Sequence, residues 1–401
     1  MKFEDIKTLT KSALAQSMGA EYASQVETLT AEDNAKLVDV GRSVLEGNGT
    51  TEKYVKSLIS VIGKMEIETR EYKTSVPSMV IKAMDWGGFV ESINFDISEN
   101  LLDDPMYNLV DGTSYADLEH KFFQPRVSVK IFEEAKAFLI PMSITEEILR
   151  ESFYSWDKLN TFISGIRNSV DTTITLIIET YTHILLSSAC AVSISATHTA
   201  VNLLELAINN GVVRSGTTPA EAIIDKDFIA FACKTISLYR KYMQRMTKAF
   251  NNGTVPTFTP KEDNKLVLIS EFAENIKTLV KANTYNDDLI GVGAYDDIPA
   301  WQAFKSSGSD LKFDVQTDTA ISISADANNK LGIGTSAWNK NYIVGIAYDK
   351  KAMGICPYRT KVTTAYTAVG DFNNEFHHVL FNYLLNSNYN IVCFYLETPS
   401  T

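Results

Sequence analysis

The chain has 401 residues, 45% of them hydrophobic, which is enough for one large core or for two to three lobes. Its formal net charge of −12 excludes a broad, non-specific grip on nucleic acid, which needs clustered Lys and Arg, though not a protein that merely encloses it. Four cysteines, Cys190, Cys233, Cys356 and Cys393, lie far apart with no CxxC, which points to reduced thiols rather than a disulfide scaffold.

Residues 1–75 read as short polar helices. Thr-Ala-Glu-Asp at 30–33 is a helix start before Leu37, Val38, Val40 and Val44, and Gly-Asn-Gly-Thr at 47–50 is a breaker. Tyr54, Leu58, Ile59 and Ile62 suggest a further helix to about Glu71. Each helix carries only a thin apolar stripe, so the segment is expected to be an arm that packs on something else. The alternative is a small helical subdomain. The N-terminus lacks the apolar core of a signal peptide.

From 87 to 98 the pattern switches to period two. Phe89, Ile93, Phe95 and Ile97 share a face with Glu91, and Ser92, Asn94 and Asp96 take the other. An acidic stretch, 99–117, follows before Val127, Val129 and Ile131 alternate on a returning strand. Such a two-stranded ribbon is marginally stable alone and should lie against a neighbouring subunit or another lobe.

Lys136, Phe138 and Ile140 alternate with Ala137 and Leu139 on a strand that Pro141 and Ser143 are expected to end. Ser143 with Glu146 reads as a capping box for a short helix to about Glu151, and Ser155 as the cap of a much longer one. Leu159, Ile163, Ile166, Val170, Thr173, Ile177 and Ile184 form the apolar stripe of the long helix, and Asn160, Arg167, Asn168 and Asp171 its polar side. At ~1.5 Å per residue, the span 156–188 is a rod roughly 50 Å long. Its second half is apolar on nearly every side and should be buried all round. Glu179 and His183 interrupt the run 174–192, so no membrane span is expected.

Beyond the rod, Asp225 or Asp227 should cap a helix through Phe250. It would bury Phe228, Ala232, Ile236, Tyr239 and Met243 and end at Asn252-Gly253. Arg240, Lys241, Arg245 and Lys248 fall in its last turns, where they suit the helix dipole or form a basic face. A strand over 265–269 and a short helix over 272–280 follow. Residues 281–340 are rich in Gly, Asp, Asn and Ser, with short strands such as Ala-Ile-Ser-Ile-Ser-Ala at 320–325. The end is β-rich, with strands at 342–348 and 390–397, the last expected to complete a sheet begun earlier.

The chemistry of an enzyme is not apparent. Residues 332–337 match GxGxxA, but turn and strand residues follow where a dinucleotide site needs a helix. Walker A, GxSxG and HExxH sequences are missing. Of the five histidines, His120, His183, His198, His377 and His378, the adjacent pair would face opposite ways on a strand, and His183 reads as a core residue making a hydrogen bond. The Glu133-Glu134 pair looks like a ribbon edge, and Glu146-Glu147 serves helix capping. No catalytic residue, cofactor-binding residue, metal ligand or cofactor is expected.

The segment AKAFLIPMSITEEILRES, leading into the long helix, and the closing GIAYDKKAMGI and NIVCFYLE carry a family resemblance. The chain resembles the major capsid proteins of tailed bacteriophages, of the small podophage sort, with the α+β, Hong Kong 97-type (HK97-like) fold. The resemblance implies an N-terminal arm over 1–75, an extended β-ribbon loop over 76–142 and a peripheral domain with the spine helix over 143–194. It further implies an axial domain over 195–340 and peripheral strands over 341–401. It implies a subunit that assembles with itself into pentamers and hexamers of an icosahedral shell. A scaffolding protein, a portal and packaged double-stranded DNA held by few specific contacts would be its other partners. The chain begins at Met1, from which no removal of a maturation pro-segment is expected. An encapsulin-type nanocompartment shell and, more distantly, a cytosolic α+β enzyme are the alternatives.

Overall fold

The computed structural model describes residues 3–27, 29, 34–46, 53–54, 57, 76, 79, 90–95, 127–132, 135–196, 198–253, 255–280, 293–301, 304–307, 310–313, 321–323, 338–370 and 372–399. The predicted helix start at 30–33, the breaker at 47–50, and most of the helix predicted up to Glu71 and of the acidic loop lie outside them.

Three helices open the chain: α1 (Phe3–Ser17), α2 (Ala20–Glu27) and α3 (Asn34–Glu46). Gly19, at φ +101°, ends α1 by donating its N–H to the Leu14 carbonyl, a left-handed stop that favours glycine. The arm does not wait for another molecule to cover it. Leu14, Val26, Leu37, Val40, Val44 and Tyr54 are buried against Leu149, Phe153, Trp156, Leu159 and Ile163 of the same chain. The apolar stripes are thin because the three helices share one small core. Gly41 lets α3 approach closely, since a Cβ there would meet the Phe153 side chain at 2.6 Å.

Strands β1 (Val90–Phe95) and β2 (Val127–Phe132) pair antiparallel, Val90 opposite Phe132 and Phe95 opposite Val127, as the alternation predicted. Strand β3 (Ala135–Thr145) then runs past both expected stops. Pro141 is tolerated because β3 is an edge strand, bonded only to its neighbour β13 (Phe372–Leu385). Ser143 therefore caps nothing. It pairs with Asn374, and its hydroxyl donates to Asn374 Oδ1 at 2.6 Å. Thr145 is the cap of α4 (Glu146–Ser152), accepting from the Ile148 N–H at 3.3 Å.

Ser155 caps the spine helix α5 (Trp156–Ser195) as expected, accepting from the Lys158 N–H at 3.3 Å. The helix runs to Ser195 and not 188, because Ala189, Cys190, Ala191 and Ser193 are buried and no Gly or Pro breaks it. Its stripe is buried at Leu159, Ile163, Ile166, Val170 and Ile177. Ile184 departs from expectation at 42% exposed, and Ile174 takes the buried position expected of Thr173. By length and composition α5 could cross a membrane, but 67% of its most apolar window is buried in protein, as in a core helix.

A mixed five-stranded sheet receives the second half of α5. Its order is β4 (Ala200–Asn202), β14 (Ile391–Tyr395), β11 (Ile343–Asp349), β5 (Asn264–Ile269) and β6 (Asp296–Ile298). The terminal strand β14 thus completes an earlier sheet, parallel to β4 and antiparallel to β11. Trp301 fastens rod to sheet: its indole donates to the Ile343 carbonyl at 2.8 Å, and its own carbonyl accepts from Ser187 at 3.1 Å. Helices α6 (Leu203–Asn209), α7 (Pro219–Ile224), α8 (Lys226–Tyr242) and α9 (Ser270–Asn275), the last continued by a π turn (Ile276–Val280), pack around this core. Asp225 caps α8, which stops at Tyr242 and not at Phe250. Asn390 ends it from outside by donating to the Met243 carbonyl at 3.2 Å.

The other sheet was not predicted as such. Strands β12 (Met353–Thr367) and β13 form a long antiparallel hairpin, with β3 along its far edge. Short pairs β7 (Phe304–Ser307) with β8 (Asp310–Phe313), and β9 (Ile321–Ile323) with β10 (Trp338–Lys340), complete the described strands.

Candidate assembly interface

The β1–β2 register sets Glu91 opposite Ile131, Ile93 opposite Val129 and Phe95 opposite Val127. Val129 on β2 is 51% exposed. A second apolar projection is the β12–β13 hairpin tip, where Tyr366 is 47% and Val369 fully exposed. Single exposed hydrophobics are ordinary, but apolar side chains grouped at a projecting tip make a patch that a partner can cover.

Beneath the long sheet lies a row of buried polar groups. On β13 the residues facing inward are Asn373, Glu375 and His377, followed by Val379 and Phe381. Glu375 is fully buried, and its carboxylate accepts no hydrogen bond from the described side chains; His377 Nε2 is 3.7 Å away. Burial pushes the Glu375 carboxyl above its usual range, against a smaller opposing pull from His377. Val379 and Phe381, which continue the row, belong to the cluster that joins the five-stranded sheet to α5, while a second cluster joins the arm to the start of α5.

His377 and His378 do point to opposite faces, one buried and the other exposed beside the Thr363 hydroxyl at 2.9 Å. His183 is buried in α5, 3.9 Å from Glu179, too far for a hydrogen bond between them. His198 lies outside α5, its ring nitrogens against the Ala196 and Asn251 carbonyls. Glu146 and Glu147 fill the first turn of α4. His120, Glu133-Glu134 and the GxGxxA match at 332–337 lie outside the described residues. Among the described residues, no three His, Cys, Asp or Glu side chains come together to hold a metal. The four cysteines are buried and none is in a disulfide, and burial pushes the Cys233 thiol up to about 12.

Sequence reasoning offered a basic face at the end of α8 beside the dipole reading, and missed the apolar side chains around it. Arg240 turns inward, its guanidinium donating to the Asn264 side chain at 2.9 Å and to the Asn264 carbonyl at 3.0 Å. Lys241, Tyr242, Arg245 and Met246 stay exposed, with Phe258 beside them. Arg245 and Lys248 lie beyond the helix, outside its last turn.

An arm, a ribbon, an edge strand feeding a capped rod, and two sheets along that rod make an α+β chain. A family model for phi29-like phage major capsid proteins matches residues 12–395, and the chain belongs to that family. The major capsid protein of Bacillus phage PZA is 25% identical over 179 residues, 42% of this chain. That match spans only 37% of the PZA protein's own length. Among solved structures, the capsid of Staphylococcus phage Andhra is 12% identical over 79% of this chain and 82% of its own, with a TM-score of 0.46. The mature capsid of bacteriophage PhiM1 is 7% identical over 83% and 90%, with a TM-score of 0.42.

Proposed function

We propose that this chain is the shell subunit of a tailed-phage virion, assembling with itself into pentamers and hexamers of an icosahedral capsid around double-stranded DNA. The observation that carries the proposal is the family match over 12–395. The exposed Val129 of the ribbon and the exposed hairpin tip support it, since a second copy would cover both. The subunit acts without catalysis, and its acidic balance suits a wall that encloses DNA without gripping it. Assembly takes place in the host cytoplasm, with a scaffolding protein and a portal as further partners.

The same proposal divides the chain into an arm (1–75), an extended loop (76–142), a peripheral domain (143–194 with 341–401) and an axial domain (195–340). The boundary at 340 runs through the five-stranded sheet, with β11 and β14 on its far side. Electron microscopy of the purified protein, with sedimentation beside it, tests the function. Closed particles of uniform diameter are expected. A monomer at micromolar concentration under all conditions, with no particles, overturns it.

A further inference from the structure

Helix α8 carries unlike surfaces at its two ends, about 25 Å apart for its 17 residues. At its start, Glu221 and Asp227 are exposed, and Ile224 between them is 71% exposed. Helix α9 lies alongside, held by the Asn275 side chain donating to the Ile223 carbonyl at 3.1 Å. It adds exposed Glu271 and Glu274. Lys226 and Lys277 offset part of this charge, Lys277 pairing with Glu274 at 2.6 Å, and the end stays net acidic.

The other end is its complement. From 238 to 259 the sequence holds four basic residues, Arg240, Lys241, Arg245 and Lys248, and no acid. Leu238 is 39% exposed and Tyr242, one turn on, 44%. An isolated bridge between Thr247 and Thr257 sets Met246 and Phe258 at adjoining register positions, 50% and 51% exposed. The helix dipole accounts for cations in the last turn of α8, and Lys241 suits it there, but Arg245 lies past the helix end.

We propose that the basic-apolar end of α8 in one copy docks on the acidic end, around Ile224, of the next copy. The occupant is a second copy because the chain carries both halves of the contact, opposite in charge and each with exposed aliphatic side chains. Two different patches meeting head to tail make a heterologous interface, which closes into a ring when the rotation between copies closes. The interface rests on the shell reading for its setting, but its residues come from α7, α8, α9 and the turn after α8. Duplex DNA is the other ligand a basic patch with Tyr and Phe could take. Leu238 and Met246 add nothing to a grip on the phosphate backbone, and the chain as a whole repels phosphate.

Charge reversal tests this in the full-length chain. The pair Lys241→Glu with Arg245→Glu, and separately Asp227→Lys with Glu271→Lys, should each cut particle yield about tenfold or more, because like charges then face each other. Circular dichroism should match wild type. Combining all four substitutions should restore yield to within about threefold of wild type. A second readout does not need shells: Ile224→Cys with Met246→Cys in one chain should give a ladder of disulfide-linked oligomers under mild oxidation, against native cysteines that are all buried. Wild-type shells together with unaffected reversals, or no rescue and no ladder, overturn the proposal. So does a basic-end reversal that abolishes duplex DNA binding in gel shift while assembly is kept. A ladder without shells keeps the docking and sinks the shell reading.

Discussion

Glu375 shows what a single side chain contributes to this subunit. A fully buried carboxylate with no donor among the described side chains is held above its usual pKa by burial. The stability it allows is complete below the ordinary value of 4.5, where the carboxyl is neutral both folded and unfolded. That stability is lost as pH rises through the higher folded value, because the unfolded chain ionises first. Around it, His377 is its neighbour on β13, and Met142 on β3 and Thr364 on β12 are its register partners. Glu375→Met should therefore stabilise the subunit by about 1–3 kcal/mol at pH 8, with the gain shrinking toward pH 4. Thermal melts of both proteins across that range would check it, and a gain that grows on acidification would contradict the sign. Whether single residues could be read from sequence depended on the range of their partners. Ser155 was legible as a cap because its partner, the Lys158 amide, is three residues away. Ser143 was not, because its partner is Asn374, 231 residues on.

At the scale of elements, strongly periodic segments were legible and tertiary decisions were not. The spine showed itself through its apolar stripe, and β5, β11 and β14 through continuous apolar runs. The β12–β13 hairpin did not, because Lys-Val-Thr-Thr-Ala-Tyr-Thr at 361–367 and Asn-Asn-Glu at 373–375 put polar residues on the buried face as well as the open one. The overrun of α8 to Phe250 has a similar cause. Its apolar spacing continues through Met243 and Phe250, but Asn390, about 150 residues on, takes the Met243 carbonyl. For the spine, Ile177→Asp would bury an unpaired charge at a position 3% exposed, costing several kcal/mol. Insoluble subunits are expected in expression trials, and soluble protein at wild-type yield would show that the position tolerates water.

For the whole molecule, the arm, the ribbon, the spine and three strands of the five-stranded sheet were legible as segments. How they share one core was not. The arm was expected to seek a partner, and its partner is its own spine. The ribbon keeps the expectation the arm lost. Residues 101–118 between its strands carry Asp103, Asp104, Asp111 and Asp117 and no basic residue, so they are expected to dock through hydrogen bonds and charge pairs with Lys or Arg of a neighbour. Deleting 101–118 should leave circular dichroism unchanged and block shell closure or yield fragile shells in micrographs. Unfolding of the deleted subunit would place the segment in the core, and shells as robust as wild type would deny it a clamping role.

The two apolar clusters meet along α5. Ile166 belongs to the arm's cluster and Val170, one turn later, to the larger one. A continuous helix is thus shared by two cooperative units of unequal size, and its backbone should report both. Native-state amide exchange should be graded along the rod. Amides up to about 166 should open with α1–α3 at the lower free energy, and amides past 170 only with global unfolding. Uniform protection from 159 to 190 would mean that both clusters melt as one. A step of about one turn would make the spine a coupling between a part that can loosen and a part that holds.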